Sequence, residues 1–379
     1  MKKTHIPVIR KTHIKWMALL LCVNVMSMSC MQPPKKSRLQ TKDQNHAFVL
    51  PEASPFTIGK TVPVPGKLYS IDTSKSGDVV YLAGNLPLII SVPHGGERVP
   101  SDIPDRKGFC DGMVINRNND VKTIELAYDI INAIREKTHG KYPHVIINTL
   151  SRTQIDQNRG WGVDCNPITG RGGQAWKDFH EHFIGDVAVP EVLKTNHTGL
   201  FIDLHGKPDN YGADIMVGYN LTATDLSNPD SKLNTSAKAY AEKSSIRFLS
   251  KKLHAETDFA GLLRGKSSIH ENFGSLLQDG MDELNRTHKK KYSVSPRHDL
   301  KSPILNLSGG YNIQAFCGVR DDGIDNEYGY TDSRFISGFQ LEVCREIRTK
   351  NPQIRMEFAR KLADAVFIFM SRIGIIERV

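Results

Sequence analysis

The segment Gly199-Leu200-Phe201-Ile202-Asp203-Leu204-His205-Gly206 decides how the fold is interpreted. It is almost entirely apolar up to Leu204, as in a strand buried on both faces of a sheet, and a histidine and a glycine follow at once. Asp203 and His205 stand two residues apart, so their side chains face the same way in an extended chain. A buried strand that ends on polar side chains is typical of a sheet whose carboxyl edge carries a ligand site.

Three more apolar runs predict buried strands, and polar residues follow the first two of them. These runs are Leu86–Val92, His144–Leu150 and Ile336–Val343. Apolar residues at three- and four-residue spacing predict helices over Val121–Lys137 and Met356–Ile373. Strands that alternate with helices over this length favour an α/β fold with a mixed, mostly parallel central sheet and helices on both faces.

A metal site is predicted where these strands end. His94 and Glu97 stand three residues apart across two glycines, which allow a tight turn that brings an imidazole and a carboxylate to one ion. With His205 they form a set of three ligands, the usual number in a catalytic zinc site that keeps an open position for water. One Zn²⁺ is therefore the predicted cofactor, and Asp203 is expected to hold the second nitrogen of His205. The alternative is that these histidines and acids are ordinary structural residues.

A proton acceptor and an anion-binding group are predicted from two other segments. Glu342 alternates with apolar residues in the last predicted strand, where a buried carboxylate is costly unless it has a role, and we expect it to be the catalytic base. Arg152 and Arg159, with Asn158, suit a substrate carboxylate, because guanidinium groups bind carboxylates through paired hydrogen bonds. Asp156 is expected to position one of the arginines. The alternatives are an edge-strand acid and a surface ion pair.

Four other stretches are interpreted as structural. His180-Glu181-His182 is expected to be a solvated helix face, because residues at i and i+2 do not share one. The basic run His288–Tyr292 is expected to be a solvated loop. Asn158–Gly173 and Asn285–Ser308 are expected to be insertions between elements.

Charge and cysteine content bear on partners and compartment. Residues 1–46 hold nine Lys or Arg and one acidic residue, so most of the net charge of +9 lies there and the rest of the chain has no charge-based case for binding nucleic acid. A basic start and a short apolar run predict a signal peptide over 1–29 and a flexible tether over 30–46. The expected location is periplasmic or at the cell surface, with membrane contact only through a lipid anchor on Cys30. In that compartment one or two disulfides can form among Cys110, Cys165, Cys317 and Cys344.

Taken in order, the motifs resemble the N-formylglutamate amidohydrolase family. They are Val92-Pro93-His94-Gly95-Gly96, Leu150-Ser151-Arg152 to Asp156-Gln157-Asn158-Arg159, Phe201 to Gly206, Gly309-Gly310-Tyr311 and Gln340-Leu341-Glu342. The family is similar in turn to the zinc carboxypeptidases and aspartoacylase-like deacylases, which implies a phosphorylase/hydrolase-like mixed sheet in one domain, here 47–379. The resemblance implies zinc on His94, Glu97 and His205, with Asp120 as the alternative third ligand. It also implies the acid/base role for Glu342, and a substrate carboxylate on Arg152 and Asn158-Arg159.

The predicted function is hydrolysis of the amide bond in a small acidic N-acyl amino acid, such as N-formylglutamate, by a metal-activated water. An exported zinc carboxypeptidase or cell-wall peptidase is the nearest alternative, because it uses the same chemistry on a peptide. A non-catalytic surface protein that binds an acidic ligand through its arginines is an alternative of another class. The acyl group and the amino acid of the substrate are left to experiment.

Overall fold

Strands rich in valine, isoleucine and leucine form the centre of the protein, because such side chains pack well on a buried sheet. The structure is a computed structural model that describes residues 62–64, 67–69, 71–255, 258–265, 272–297, 307–317 and 335–377. The strands are β1 Val62–Val64, β2 Lys67–Tyr69, β3 Ile71–Thr73, β4 Val79–Leu82, β5 Leu88–Val92, β6 Phe109–Cys110, β7 Met113–Val114, β8 His144–Asn148, β9 Gly199–Lys207, β10 Ile215–Gly218, β11 Val294–Ser295 and β12 Ile336–Cys344.

Eight of these strands form one sheet in the order β11-β10-β12-β9-β5-β8-β4-β3. The four central strands β12, β9, β5 and β8 run parallel to one another. Strands β4 and β10 pair antiparallel at the two ends of this group. The carboxyl ends of the four central strands therefore meet at one edge, and the predicted mixed, mostly parallel sheet is confirmed.

Helices cover both faces of the sheet. They are α1 Thr123–Lys137, α2 Gly170–Lys177, α3 Val189–Asn196, α4 Ala223–Leu226, α5 Asp230–Thr235, α6 Ala237–Lys243, α7 Arg247–Lys252, α8 Phe259–Arg264, α9 Phe273–His288, α10 Tyr311–Phe316, α11 Arg345–Thr349 and α12 Pro352–Arg372. A π-helical segment, Asp178–Ala188, joins α2 to α3. Helices α1, α9 and α12 pack on one face. The π-helical segment, α3 and α10 pack on the other, so the sheet is buried on both sides.

The four predicted strands and both predicted helices are present within a few residues of their expected ends. The two predicted insertions are only partly irregular. Asn158–Gly173 runs into α2, which begins at Gly170, and Asn285–Ser308 contains the end of α9 and the strand β11. The basic run His288–Tyr292 forms the end of α9 and the loop after it, and Lys289 and Lys291 are exposed, as expected of a solvated loop. Only Tyr292 is buried in this run, and Lys290 Nζ lies 2.6 Å from the Glu346 carboxylate.

The predicted signal peptide 1–29 and the tether 30–46 with Cys30 lie outside the described residues. The domain boundary at 47 likewise remains a prediction. Among the helices that the structure describes, none has the length and apolar character needed to cross a membrane.

One disulfide, Cys110–Cys165, joins the β6–β7 hairpin to the loop that follows Arg159, and Cys317 and Cys344 are buried free thiols. The bond spans 55 residues, and loop-closure entropy of the unfolded chain gives about 4 kcal/mol for a loop of that length. Replacing Cys110 and Cys165 together with serine should lower the free energy of unfolding by about that amount, measured by urea denaturation. A reductant should destabilise the wild type but not this variant. Equal stability of the two proteins without reductant would contradict the prediction.

Candidate active site

Three side chains from separate segments meet at the carboxyl edge of the sheet. His94 follows β5, His205 lies near the end of β9, and Asp120 lies three residues before α1. The backbone N–H of Asp120 donates to the His94 carbonyl oxygen at 2.9 Å, which brings the two segments together. All three side chains are buried. In the described part of the chain, they form the one cluster of His, Cys, Asp or Glu side chains that is close enough together to bind a metal ion.

The donor atoms of these residues form a small triangle. His94 Nδ1 lies 3.1 Å from His205 Nδ1 and 3.4 Å from Asp120 Oδ2, and His205 Nδ1 lies 3.1 Å from the same oxygen. Ligand atoms about 2.1 Å from a tetrahedral zinc ion lie about 3.4 Å from one another. The triangle therefore has the size that a zinc-like ion requires.

The outer nitrogen of each imidazole is held by a carboxylate. His94 Nε2 lies 2.6 Å from Asp156 Oδ1, and His205 Nε2 lies 2.8 Å from Asp203 Oδ2. An ionised carboxylate can only accept, so both Nε2 atoms are the N–H donors. Whenever a ring is neutral, the lone pair of its Nδ1 therefore faces Asp120. Two lone pairs and a carboxylate oxygen that face one another repel unless a cation lies between them, so the donor set fits a metal ion.

The carboxylates around the two histidines also favour a bound cation. Burial raises the pKa of Asp120, but hydrogen bonds from His205 and His94 outweigh it and hold that pKa far below its usual value. The pKa values of Asp156 and Asp203 are lowered too, since their imidazole partners outweigh burial. Burial lowers the pKa of His205, but Asp203, Asp120 and Glu342 together raise it well above normal. This environment therefore favours a cation on His205 Nδ1, which a proton or a metal ion can supply.

The structure corrects the prediction for Glu97, whose side chain is exposed and does not belong to the metal-binding group. The two glycines before it do not fold the chain back on His94. A Cβ on Gly96 would lie 2.2 Å from the Thr149 carbonyl carbon, so this segment runs tightly against the end of β8. Arg98 then pairs with Leu150 in a parallel bridge, and Glu97 is carried out to solvent. Asp120, the alternative ligand, takes the place beside the histidines.

Glu342 lies on β12 directly beside His205 of β9 in the parallel register. Gln340 Nε2 donates to Glu342 Oε1 at 3.0 Å, whereas the buried Glu342 Oε2 has no hydrogen-bond partner among the described residues. Burial raises the pKa of Glu342 and the Asp120 carboxylate raises it further, while His205 and Gln340 oppose the shift. A carboxylate with one oxygen fixed and one open beside the histidines is placed to exchange a proton with a bound molecule.

Behind the histidines lies a network of residues to which the sequence interpretation gave no role. Ser91 Oγ donates to Asp203 Oδ1 at 2.5 Å, and Asn312 Nδ2 donates to the same oxygen at 3.0 Å. Asn312 Oδ1 in turn accepts from His180 Nε2 at 3.0 Å. Asp203, predicted to hold the second nitrogen of His205, is thus itself held from two sides. Asn312 stands one residue after the motif that ends at Tyr311, and that closeness was the only signal in the sequence.

His180 is buried, which corrects the prediction of a solvated helix face. Its ring packs against Trp176, Tyr311 and Phe316, and its Nε2, the N–H donor, also lies 2.9 Å from the Gln157 carbonyl oxygen. The spacing argument holds for His182, which is exposed. His180 differs because the loop at Gln157 and helix α10, which lie elsewhere in the chain, pack over it.

Burial lowers the pKa of His180 to about 4, so acid should destabilise the protein. Between the usual histidine pKa of about 6.5 and about 4, the unfolded chain binds a proton that the folded chain does not, and stability falls as the pH falls. Below that window the cost reaches about 3 kcal/mol. His180→Gln should remove this part of the pH dependence, measured by urea denaturation at neutral and acid pH. The exposed His182→Asn is the control, and a wild-type pH dependence in His180→Gln would refute the assignment.

The predicted anion-binding residues are close together but not equivalent. Arg152 Nε donates to Asp156 Oδ2 at 2.9 Å, so the residue expected to position an arginine also holds His94. Arg159 lies further out, with Nε 2.6 Å from Asp164. Asn158 is inside the network, where its Nδ2 donates to Gln340 and its Oδ1 accepts from the Asn312 backbone, which leaves it little to offer a substrate.

Comparison with protein-family models gives no match, and comparison with curated proteins gives none. Among solved structures, an N-formylglutamate amidohydrolase from Ralstonia eutropha JMP134 is 13% identical, with 79% of this chain and 98% of that chain covered and a TM-score of 0.36. A gene product of Agrobacterium tumefaciens is 13% identical, with 78% and 96% covered and a TM-score of 0.39. An N-acetylmuramyl-L-alanine amidase from Mycobacterium smegmatis is 11% identical, with 76% and 98% covered and a TM-score of 0.29. Likenesses at these values carry no argument about this chain's site.

Proposed function

We propose that this protein is a zinc-dependent hydrolase that cleaves the amide bond of a small N-acyl amino acid of the N-formylglutamate type. The observation that carries the proposal is the triangle of His94, Asp120 and His205 beside the open carboxylate oxygen of Glu342. A buried metal-binding group with a free proton acceptor on the neighbouring strand is the minimum that metal-assisted amide hydrolysis requires.

Each residue has a definite task in this proposal. His94, Asp120 and His205 hold the ion, and zinc there supplies a Lewis acid that polarises the amide carbonyl and lowers the pKa of water. Glu342 takes a proton from the attacking water on Oε2 and returns it to the leaving amine, while Gln340 keeps the carboxylate oriented.

The side chain of Arg152 is the observation that favours a substrate with a carboxylate. Its side chain is 8% exposed, and of its side-chain nitrogens only Nε makes a hydrogen bond within the described residues, to Asp156. The two terminal NH₂ groups are therefore available to a substrate carboxylate, and the Asp156 that binds Nε also holds His94 Nε2. We therefore place the carboxylate of the amino-acid part on Arg152, with Arg159 further out.

Two measurements on purified full-length protein test the proposal. Elemental analysis after zinc-replete preparation should give about one zinc per chain, as a single three-ligand site predicts. Release of free amine should then be followed across N-formyl, N-acetyl and N-succinyl amino acids and short peptides. Hydrolysis of peptides alone would replace the proposal with a zinc carboxypeptidase or cell-wall peptidase. Absence of zinc together with binding of an acidic ligand would replace it with a non-catalytic binding protein.

Arg152→Lys should raise KM for carboxylate-bearing substrates by about tenfold, because lysine keeps the charge but loses the paired hydrogen bonds. The same substrates with the carboxylate converted to an amide should show no such change. Arg117→Lys is the matched control, since Arg117 forms an exposed ion pair with Asp105. An unchanged KM in Arg152→Lys would move the substrate carboxylate elsewhere.

We also propose that the protein acts outside the cytoplasm, tethered through Cys30. The Cys110–Cys165 disulfide supports export, because such bonds persist in oxidising compartments. Cell fractionation of the wild type and Cys30→Ser tests the tether: release of the variant from the membrane fraction supports it, and equal membrane retention counts against it.

A further inference from the structure

Arg348 on α11 is a buried arginine that the proposed chemistry does not use. Its guanidinium donates to three backbone carbonyl groups from three different segments. Nε donates to the Val343 oxygen at 3.0 Å, Nη2 to the Lys207 oxygen at 3.1 Å, and Nη1 to the Val121 oxygen. Within the described residues no carboxylate lies within ion-pair distance of Arg348. Its positive charge therefore interacts with backbone carbonyl oxygens.

The three carbonyl groups flank three different site residues. Val121 directly follows Asp120, Val343 directly follows Glu342, and Lys207 comes two residues after His205. Asp120 lies on a loop, whereas His205 and Glu342 lie on paired strands. The guanidinium is therefore a rigid connection between the loop that bears the carboxylate ligand and the two strands that bear an imidazole ligand and the base.

Gly206 makes room for this connection. A Cβ at that position would lie 2.2 Å from Arg348 Cζ, so any other residue would displace the guanidinium. The N–H of Gly206 also donates to Asp120 Oδ2 at 3.0 Å. The glycine after His205 thus lets the ligand-bearing loop and the arginine both approach the same point of β9.

We propose that Arg348 is a positioning residue of this centre, which sets the placement of Asp120 relative to His205 and Glu342 through their backbones. The part concerning Glu342 rests on the proposed function, whereas the part concerning the metal ligands does not. Because the planar fork serves three acceptors at fixed angles, lysine cannot replace it.

The test measures zinc affinity by competition with a chelator, together with kcat and the melting temperature. Arg348→Lys should weaken zinc binding by about 10- to 100-fold, the usual effect of losing a partner that orients metal ligands. Its kcat should fall at least as much at temperatures where circular dichroism shows the variant folded. The control is Arg264→Lys, because Arg264 is equally buried and donates to the Leu226 and Asn228 carbonyls, in a segment without site residues. Arg264 differs from Arg348 in that it also binds the Asp230 carboxylate. This control should melt earlier yet keep zinc affinity and kcat.

A second variant tests the proposal in case Arg348→Lys does not fold. Arg348→Ala leaves a space for free guanidinium, and added guanidinium at non-denaturing concentration should restore zinc affinity in it but not in His205→Ala. Zinc affinity within twofold of wild type in folded Arg348→Lys would overturn the proposal. An equal loss of zinc affinity in Arg264→Lys, or no rescue by guanidinium, would also overturn it. Either result would show that Arg348 contributes only to general stability. If wild type binds zinc in an Arg348-dependent way but hydrolyses no amide, the proposed function fails and the positioning role stands.

Discussion

His94→Ala is expected to lose both the metal ion and the activity. His94 Nδ1 is one of the three donors, and its removal leaves His205 and Asp120, which cannot enclose an ion on a third side. Loss of a partner that only orients a ligand costs about 10- to 100-fold in metal affinity, so loss of the ligand itself should exceed that. Turnover should fall by roughly 10³-fold or more, because a metal ion supplies several kcal/mol of stabilisation to the transition state.

The measurement is zinc content after dialysis, set beside kcat/KM on the best substrate. His144→Gln is the matched control, since His144 is also buried but contacts Tyr81 on the far side of β8. It should lose stability while keeping zinc and turnover. Stoichiometric zinc or near-normal turnover in His94→Ala would show that the ion binds elsewhere.

The same assay separates the two carboxylates considered as third ligand. Asp120→Ala should behave like His94→Ala, because Asp120 Oδ2 closes the triangle. Glu97→Ala should be indistinguishable from wild type, because that side chain is exposed. The opposite pattern would restore Glu97 as the third ligand.

The contrast between Glu97 and Asp120 shows what sequence spacing can and cannot predict. The buried strands were predictable, since a short apolar run between polar residues is typical of a strand inside a sheet. Their carboxyl ends locate His94 and His205, because parallel strands deliver their ends to one edge. The third ligand depends on how a loop packs. Gly96 lies against Thr149, a contact with a residue more than fifty positions away that local spacing does not encode.

Residues that hydrogen-bond the site residues, without being proposed ligands or bases, were harder to predict. Their roles also depend on contacts between distant segments. Gln340 shares a strand face with Glu342, so alternation places it correctly but does not show that it binds the carboxylate. Asn312 and His180 are defined by contacts with each other and with Asp203, across separate elements. A helical pattern describes one segment alone. His180 is polar by sequence, but it is buried because two other segments, the loop at Gln157 and α10, pack over it.

Glu342→Gln is expected to keep the metal ion and lose turnover. Loss of a positioned proton acceptor lowers kcat by about 10²- to 10⁴-fold. KM should change little, because in the proposed function Arg152, and not Glu342, binds the substrate carboxylate. The control is Glu346→Gln, which removes a carboxylate that pairs with Lys290 outside the site. Zinc content and kcat are measured on the same preparations, and full turnover in Glu342→Gln would remove this residue from the mechanism.

The structure explains why this substitution isolates proton transfer. Glu342 Oε1 accepts from Gln340 Nε2, and a glutamine oxygen at the same position accepts equally well, so the side chain keeps its orientation. The new NH₂ group then occupies the position of Oε2, which has no hydrogen-bond partner to lose in the described part of the chain. None of His94, Asp120 and His205 is hydrogen-bonded to Glu342 within the described residues, so the ligand triangle is undisturbed. What changes is that an amide nitrogen, unlike a carboxylate oxygen, cannot take a proton from water.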